Sequence, residues 1–501
     1  MAFKIKLPSP ISILMGVIIL AAIATWLIPA GRYNTLSYSE GESFKYSTDV
    51  KDSLLPLTQH TLDRLRINIS LDKFKTGAIR KPVSIPGSYH TLPSNKQGLL
   101  KVLQAPIKGI YDSVDIVFFI LFIGGFMQVF NESGAMHKGL SALSYRMKGK
   151  EAWLIIILTF LFSFAGSSYG MAEEALVFYP VLVPVFLAAG YDLIVPVAVI
   201  FGGTQLGQLS SFTNPFSTII ASNAAGVNWS DGLTERIIMF GLSTVITIWY
   251  IVKYANKVKK NPHASLVFKT DGIIESPYPS LPQTTVAHLP VNKKSKLLLV
   301  IFLFTFLVMI GGVVFFEWWL IEMTALFLAA AILIAVVLKM KEMDFILNFI
   351  KGAQSLLSVA LIVGVARGVT VILNEGHISD SILFYSANLV GTMPPAVFIV
   401  ALLLMYLLFT LFISSTSGMA VLTMPIMGAL AVLVNVPGRE IVNAYLFGMG
   451  IMGFITPTGL VLPSLALVNI SIKAWIKFVY PLLIILFAVC ALCLVAGIYF
   501  K

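Results

Sequence analysis

Four polar breaks in an otherwise apolar chain hold the residues whose types could do chemistry. Gly166-Ser167-Ser168-Tyr169-Gly170-Met171-Ala172 is echoed by Ser414-Ser415-Thr416-Ser417-Gly418-Met419-Ala420. A second break, Gly202–Ser222, includes Ser210-Ser211-Phe212-Thr213-Asn214-Pro215, and its counterpart Gly453–Ser464 includes Thr456-Pro457-Thr458-Gly459. Gly and Pro release backbone groups from the helical ladder. Inside a bilayer that is tolerable only where protein or a water-filled cavity satisfies them. Exposed half-helix N-termini attract anionic groups, and free carbonyls and hydroxyls attract Na⁺. The breaks therefore suit a small organic anion or zwitterion together with a small cation. Close helix packing through small residues accounts for one such break as well as a site does, but accounts poorly for four symmetry-related ones. The candidate substrate contacts are Ser167, Ser168, Gly170, Thr213, Asn214, Ser415, Thr416, Ser417, Thr456 and Thr458.

Three charged residues join them. Glu173 and Glu174 follow the first break directly, where the second copy has Val421 and Leu422. Intramembrane carboxylates are costly and by default functional, so this pair could bind a cationic group, ligate Na⁺ or carry a proton. The bland alternative is a water-exposed hairpin end. Arg367 lies deep in an apolar run and could grip a substrate carboxylate in bidentate fashion, or pair with Glu173, Glu174 or Glu375. Candidates for ion coupling, to Na⁺ or H⁺, are Glu173, Glu174, Ser168, Asn214 and Ser415. No other metal and no cofactor is expected: His137, His263, His288 and His377 show no ligand spacing, and there is no P-loop for ATP-driven transport. Cys490 and Cys493 have no His or second pair nearby, which favours plain helix packing. No His or Lys sits in the breaks beside Ser167 or Ser415, so a membrane-embedded hydrolase has no base and no enzyme is expected.

The elements that must position these residues are transmembrane helices. The chain has 501 residues, 57% hydrophobic and 12% charged, against about 25% charged in soluble domains. Apolar runs near 11–30, 113–131, 235–252, 297–316, 319–338, 355–373, 395–413 and 478–499 are long enough, or nearly so, for about 20 residues to cross a bilayer. The net charge of +11 sits between these runs, as positive-inside bias requires, and does not indicate nucleic acid. Lys4 and Lys6 favour a cytoplasmic N-terminus. The expected organisation is an N-terminal helix (1–30), a strand-containing extracytoplasmic segment (31–105), a first repeat (106–254), a cytoplasmic linker (255–296), two connecting helices (297–342) and a second repeat (343–501). Residues 98–111 read as amphipathic and interfacial.

The repeat is read from ordered matches. Ile107-Lys108-Gly109 falls on Ile350-Lys351-Gly352, Asn131-Glu132 on Asn374-Glu375 and Thr213 on Thr456, all 243 residues apart, and the small-residue breaks fall 248 apart. Lys138, Arg146, Lys148 and Lys150 follow Glu132, whereas Gly376 to Pro395 holds no Lys or Arg. The two copies thus have opposite charge bias and should be inverted. The fold class expected is an all-α polytopic membrane protein with two inverted-topology repeats, broken helices and re-entrant helical hairpins, the architecture of many secondary transporters.

Particular residues resemble a known family. Gly170-Met171-Ala172-Glu173-Glu174 with Phe178-Tyr179-Pro180, and Thr213-Asn214-Pro215-Phe216 with Ile220-Ala221-Ser222, resemble the YfcC branch of the DcuC-like (C4-dicarboxylate anaerobic carrier) transporters. Ile28-Pro29-Ala30-Gly31, Pro86-Gly87-Ser88-Tyr89 and Ala105-Pro106-Ile107-Lys108-Gly109 fit the same pattern. The resemblance implies the ion transporter superfamily, a homodimer in a bacterial inner membrane and an elevator motion. One departure is Gln208-Leu209-Ser210-Ser211-Phe212, where a more Gly-rich approach to the Thr-Asn-Pro turn is expected. The function expected is secondary active transport of a small carboxylate-bearing metabolite. An amino acid, a basic one moved by exchange among the options, is favoured slightly over a C4-dicarboxylate, because two acidic residues stand beside one break and Arg367 is the lone cation of the transmembrane core. A channel or solute sensor is the alternative from another class.

Overall fold

The computed structural model describes residues 9–499 apart from 39–40, 42, 50, 68, 76–78, 80–81, 136–137, 140–149, 169, 269–291, 317, 319 and 392. Tyr169, Arg146, Lys148, His137, His288 and most of the linker thus lie outside the described residues. Helix α1 (Pro10–Leu27) starts with Pro at its first position and a Ser9 side chain that accepts from Ser12 N, which satisfies an amide the helix cannot. Among the described residues, six short strands follow: β1 (Gly31–Arg32), β2 (Thr35–Ser37), β3 (Ser43–Ser47), β4 (Asp52–Pro56), β5 (Val83–Ser84) and β6 (His90–Thr91). All pairings are antiparallel, in a sheet ordered β4-β3-β2-β5 and a β1-β6 pair. Phe44 of β3 is fully buried against Phe74, ring centroids 5.1 Å apart.

The membrane part follows in chain order: α2 (Leu99–Asp112), α3 (Val114–Glu132), α4 (Glu151–Ser168), α5 (Tyr179–Ala188), α6 (Ile194–Leu209), α7 (Ile220–Ala225), α8 (Leu233–Lys260), α9 (Lys293–Phe316), α10 (Leu320–Leu338), α11 (Glu342–Glu375), α12 (Ser379–Val390), α13 (Pro395–Phe412), α14 (Thr416–Leu433), α15 (Gly438–Gly453), α16 (Val461–Ala466) and α17 (Ile472–Tyr499). Among the described residues, eight helices are long and apolar enough to cross a membrane. The protein is an integral membrane protein, mainly helical, with the small sheets outside the helical body.

The 243-residue offset reappears as structure. Residues 99–132, covered by α2 and α3, fall on 342–375, which is the single helix α11. The two pack antiparallel along their length, because glycines let the backbones touch. A Cβ on Gly109 would meet the Gly364 carbonyl and Gly368 amide, and one on Gly124 would meet the Gly352 carbonyl. Residues 98–111 are amphipathic, as expected, but they do not only lie at the interface. Lys101 and Lys108 pair with Glu375, while Gly109 reaches Gly364, about 16 Å along α11 at 1.5 Å per residue. Helix α2 therefore descends beside α11 as the first half of a broken spanning helix. Glu375 does not pair with Arg367.

Two helical hairpins enter from opposite ends. Glu151, at the start of α4, pairs with Lys259 at 3.1 Å, and Gly190, just past α5, lies beside the same Lys259 side chain. Both ends of residues 151–190 thus meet the basic end of α8, so the chain goes in and returns. In the second repeat, Gly391 lies against Leu430, which closes α13 and α14 into a hairpin at its opposite end. That base sits on the sheet side. Strand β5 packs on α14, and α12, which leads into the hairpin, is held by the sheet segment. Tyr33 N donates to Asp380 Oδ2 (2.8 Å), and the Tyr89 ring stacks on Phe384 with centroids 4.0 Å apart.

The breaks are shorter than expected. Gly202 and Gly203 stay inside α6, and the helix runs to Leu209. Gly203 and Gly207 serve close packing instead, since a Cβ on Gly207 would strike the Ser163 carbonyl of α4. Interior glycine does not break a helix whose neighbour fills the space above it.

Two measurements test this packing. Gly124→Leu should lower the stability of the purified protein by at least about 1–3 kcal/mol through overpacking, seen as a lower Tm. An unchanged melt would contradict the α3–α11 contact. In the sheet segment, the Ser88 carbonyl and then the Asp49 carboxylate hold the His90 pKa above its ordinary value of 6.5. The sign follows: this stabilisation is fully present below about pH 6.5 and is lost as pH rises through the raised folded value. His90→Gln should flatten the difference in Tm between about pH 5.5 and pH 8.5; an equal difference in the variant would remove His90 as its source.

Candidate substrate site

Each hairpin tip is bonded to the break of its own repeat. At the first tip, Gly170 has φ of +86°, a conformation that favours glycine. Its amide and that of Met171 share the Ala165 carbonyl at 3.1 and 3.3 Å. Across from it, Ser167 Oγ donates to the Ser210 carbonyl (2.8 Å) and accepts from Phe212 N (3.2 Å). Thr213 Oγ1 donates to the Ser168 carbonyl at 2.9 Å. Asn214 Nδ2 reaches the Gly166 carbonyl at 3.2 Å while its Oδ1 accepts from Phe216 N at 2.8 Å. The free groups of one break thus become the partners of the other.

The second repeat repeats the device with different residues. Ser414 Oγ donates to the Thr458 carbonyl (2.8 Å), and Thr456 Oγ1 to the Thr410 carbonyl (3.0 Å). Tyr445 OH donates to the Thr416 carbonyl at 2.8 Å, and the buried Trp475 indole donates to the Phe454 carbonyl at 2.8 Å. The two units meet where α6 crosses α15, with Gly450 against Leu209.

Between the tips lies a cavity of about 370 Å³. Gly170 and Asn214 line it from the first repeat, and Ser415, Thr416, Ser417, Thr456 and Thr458 from the second. Ser167, Ser168 and Thr213 are not in the lining. Ser167 is fully buried between tip and break, and the Ser168 hydroxyl bonds back to the Phe164 carbonyl of its own helix at 2.7 Å.

Glu173, Glu174 and Arg367 also face this cavity. Arg367 comes from α11, eight residues from its Glu375 end, about 12 Å down the helix. Glu174 Oε2 accepts from Ala172 N at 2.9 Å, which turns one carboxylate back onto its own tip. Asp112, Asp115, Gln205 and Gln208 line the cavity as well and were not picked out from the sequence. Asp112-Ser113-Val114-Asp115 opens an apolar run, so an intramembrane carboxylate was there to be read. The amphipathic composition of residues 98–111 masks that signal. Among the described residues, none of Asp112, Asp115, Glu173, Glu174 and Arg367 forms an ion pair. The arrangement can therefore offer both signs of charge, and many hydroxyls, to a small polar molecule.

Known proteins match over nearly the full length. The family model of the C4-dicarboxylate anaerobic carrier, DcuC, covers residues 7–499. An uncharacterized protein of Haemophilus influenzae is 39% identical over 482 residues, covering 95% of this chain and 94% of its own. An Escherichia coli (strain K12) protein bearing the name "Putative basic amino acid antiporter YfcC" is 29% identical over 499 residues, covering 96% of this chain and 94% of its own. Among solved structures, the Alcanivorax borkumensis YdaH transporter aligns with a TM-score of 0.43 at 14% identity, over 98% of this chain and 99% of its own. Neisseria gonorrhoeae MtrF aligns with a TM-score of 0.38 at 14% identity, over 99% and 96%.

The cross-bonding of tip and break has a measurable consequence. Asn214→Ala leaves the Gly166 carbonyl and the Phe216 amide without their partner and should cost about 1–3 kcal/mol in a thermal melt. Ser168→Ala removes only a hydroxyl bonded within its own helix and should be near neutral. Equal losses in the two variants would contradict the cross-bonding.

Proposed function

The chain belongs to the C4-dicarboxylate anaerobic carrier family, a family of membrane transporters, and from that premise we propose that it is a secondary active exchanger of basic amino acids. The observation that carries the reading is the cavity: Asp112, Asp115, Glu173 and Glu174 face it with the single guanidinium of Arg367, and none is matched by another in an ion pair. A substrate with one carboxylate and two cationic groups complements that set. The name carried by the E. coli relative points the same way.

The charge balance also favours exchange. Closing several carboxylates and one guanidinium into a low-dielectric site is costly without cations to match them. A bound basic amino acid supplies them, so the loaded carrier crosses more readily than the empty one. Na⁺ or H⁺ could serve in the same role, with Glu173, Glu174 and the tip residues Ser168, Asn214 and Ser415 as the coupling candidates. Alternating access fits two units of different make-up. The hairpins with α6–α8 and α15–α17 form the moving part, and α2, α3 and α11 the fixed one, as in an elevator. In this reading the protein works as a homodimer in the inner membrane with a cytoplasmic N-terminus.

A second reading, carriage of a C4-dicarboxylate, draws on the family's description. It also draws on Arg367 and the hydroxyls of Ser414–Ser417 at the start of α14. Proteoliposomes preloaded with unlabelled lysine and given labelled lysine outside separate the two. The exchange reading expects saturable counterflow that external arginine competes away and succinate does not. Counterflow of succinate alone would replace it with the second reading, and no counterflow of either would end both.

A further inference from the structure

The cavity's charges divide cleanly between the repeats. Asp112 and Asp115 fall, at the 243-residue offset, on Ser355 and Ser358, and Glu173 and Glu174 fall, at 248, on Val421 and Leu422. Arg367 falls on Gly124. Every carboxylate lining the cavity comes from the first repeat, and its guanidinium comes from the second. Ser414, Ser415, Thr416 and Ser417 line the cavity at the start of α14. A site built from two copies of one unit thus draws its carboxylates from one copy and its guanidinium from the other: Glu173 and Glu174 follow the first hairpin tip, and Arg367 stands on α11, against which the α2–α3 segment that carries Asp112 and Asp115 packs.

We propose that the placement of Glu173 at the first hairpin tip and of Arg367 on α11 fixes the direction in which the substrate lies and selects its class; the proposal rests on the exchange reading above. The substrate carboxylate sits at Arg367 on α11. Its distal cationic group sits at the first hairpin tip, where Glu173 is the specificity-determining residue. Glu174 is a positioning residue, because one of its oxygens is held by the Ala172 amide at the tip. A neutral amino acid leaves Glu173 unmatched, and a dicarboxylate meets like charge there. Both are disfavoured by electrostatics rather than by size, since each is smaller than the cavity of about 370 Å³.

The test uses purified full-length protein, isothermal titration calorimetry and three probes: lysine, cadaverine, which lacks the carboxylate, and norleucine, which lacks the distal ammonium. Each deleted charge-assisted contact is worth roughly tenfold in affinity. Arg367→Gln should weaken lysine and norleucine by at least about tenfold and cadaverine by less than about twofold. Glu173→Gln should weaken lysine and cadaverine by at least about tenfold and norleucine by less than about twofold. Glu173→Asp keeps the charge, so it should recover most cadaverine binding; Glu173→Ala, with the same expected losses, stands in for Glu173→Gln if that variant does not fold. If wild-type protein binds lysine but the two variants weaken all three probes alike, or Glu173→Gln leaves lysine unaffected, the orientation is wrong and the exchange reading survives. If wild-type protein binds no basic amino acid, the exchange reading falls and the orientation falls with it.

Discussion

The structure depends on one constraint: backbone that leaves the helical ladder inside hydrocarbon must find its partners within the protein. A free carbonyl or amide costs several kcal/mol there. Among the described residues, the chain breaks its helices at residues 170–172, 210–214, 413–415 and 454–460. It meets the cost by bonding each hairpin tip to the neighbouring break. Ser167 with Ser210, Thr213 with Ser168 and Asn214 with Gly166 do this in the first repeat, and Ser414 with Thr458 and Thr456 with Thr410 do it in the second. The hydroxyl and amide side chains at the breaks are thus largely structural. Those that remain turned to the space between the tips make the cavity polar.

This changes the meaning of the small-residue stretches. Ser167 and Thr213 have the composition of binding residues, yet their hydroxyls are committed to holding the tip in place. The charged groups that line the cavity stand on other residues, Asp112, Asp115, Glu173, Glu174 and Arg367. Closeness between α2, α3 and α11 comes from a different use of small residues. Gly109, Gly124, Gly352 and Gly364 bring α2, α3 and α11 to backbone contact, which fixes where Arg367 and the two Asp residues stand relative to the tips. The sheet segment binds α12, the connector into the second hairpin, through Tyr33, Tyr89 and Asp380, so it bears on the same geometry from outside the membrane.

Much of this was legible in the sequence. The spanning helices follow from long apolar runs, the hairpins from paired polar interruptions, and the inversion from opposite basic flanks. All are local or periodic properties, and a bilayer enforces them strictly because it offers the backbone no other partners. The 243-residue offset also held the length of the first repeat's leading helix. Asn131-Glu132 and Asn374-Glu375 mark the ends of α3 and α11. The start at Leu99 was obscured because Gly98 and the lysines before Asp112 give α2 an amphipathic, surface-like composition.

What the sequence could not determine was which side chains share a space. The doublets and breaks are visible in the chain, but Asp112 and Asp115 of the α2–α3 junction become site residues only because α11 packs antiparallel to that junction and turns Arg367 into the same cavity. Likewise Gly202 and Gly203 look like a break until Phe454 is seen over the first and α4 over the second. Spans, breaks and inversion are properties of short stretches in a given solvent, and the sequence carries them by itself. The pairing of distant charges depends on how closely whole helices approach, and only the tertiary structure decides that.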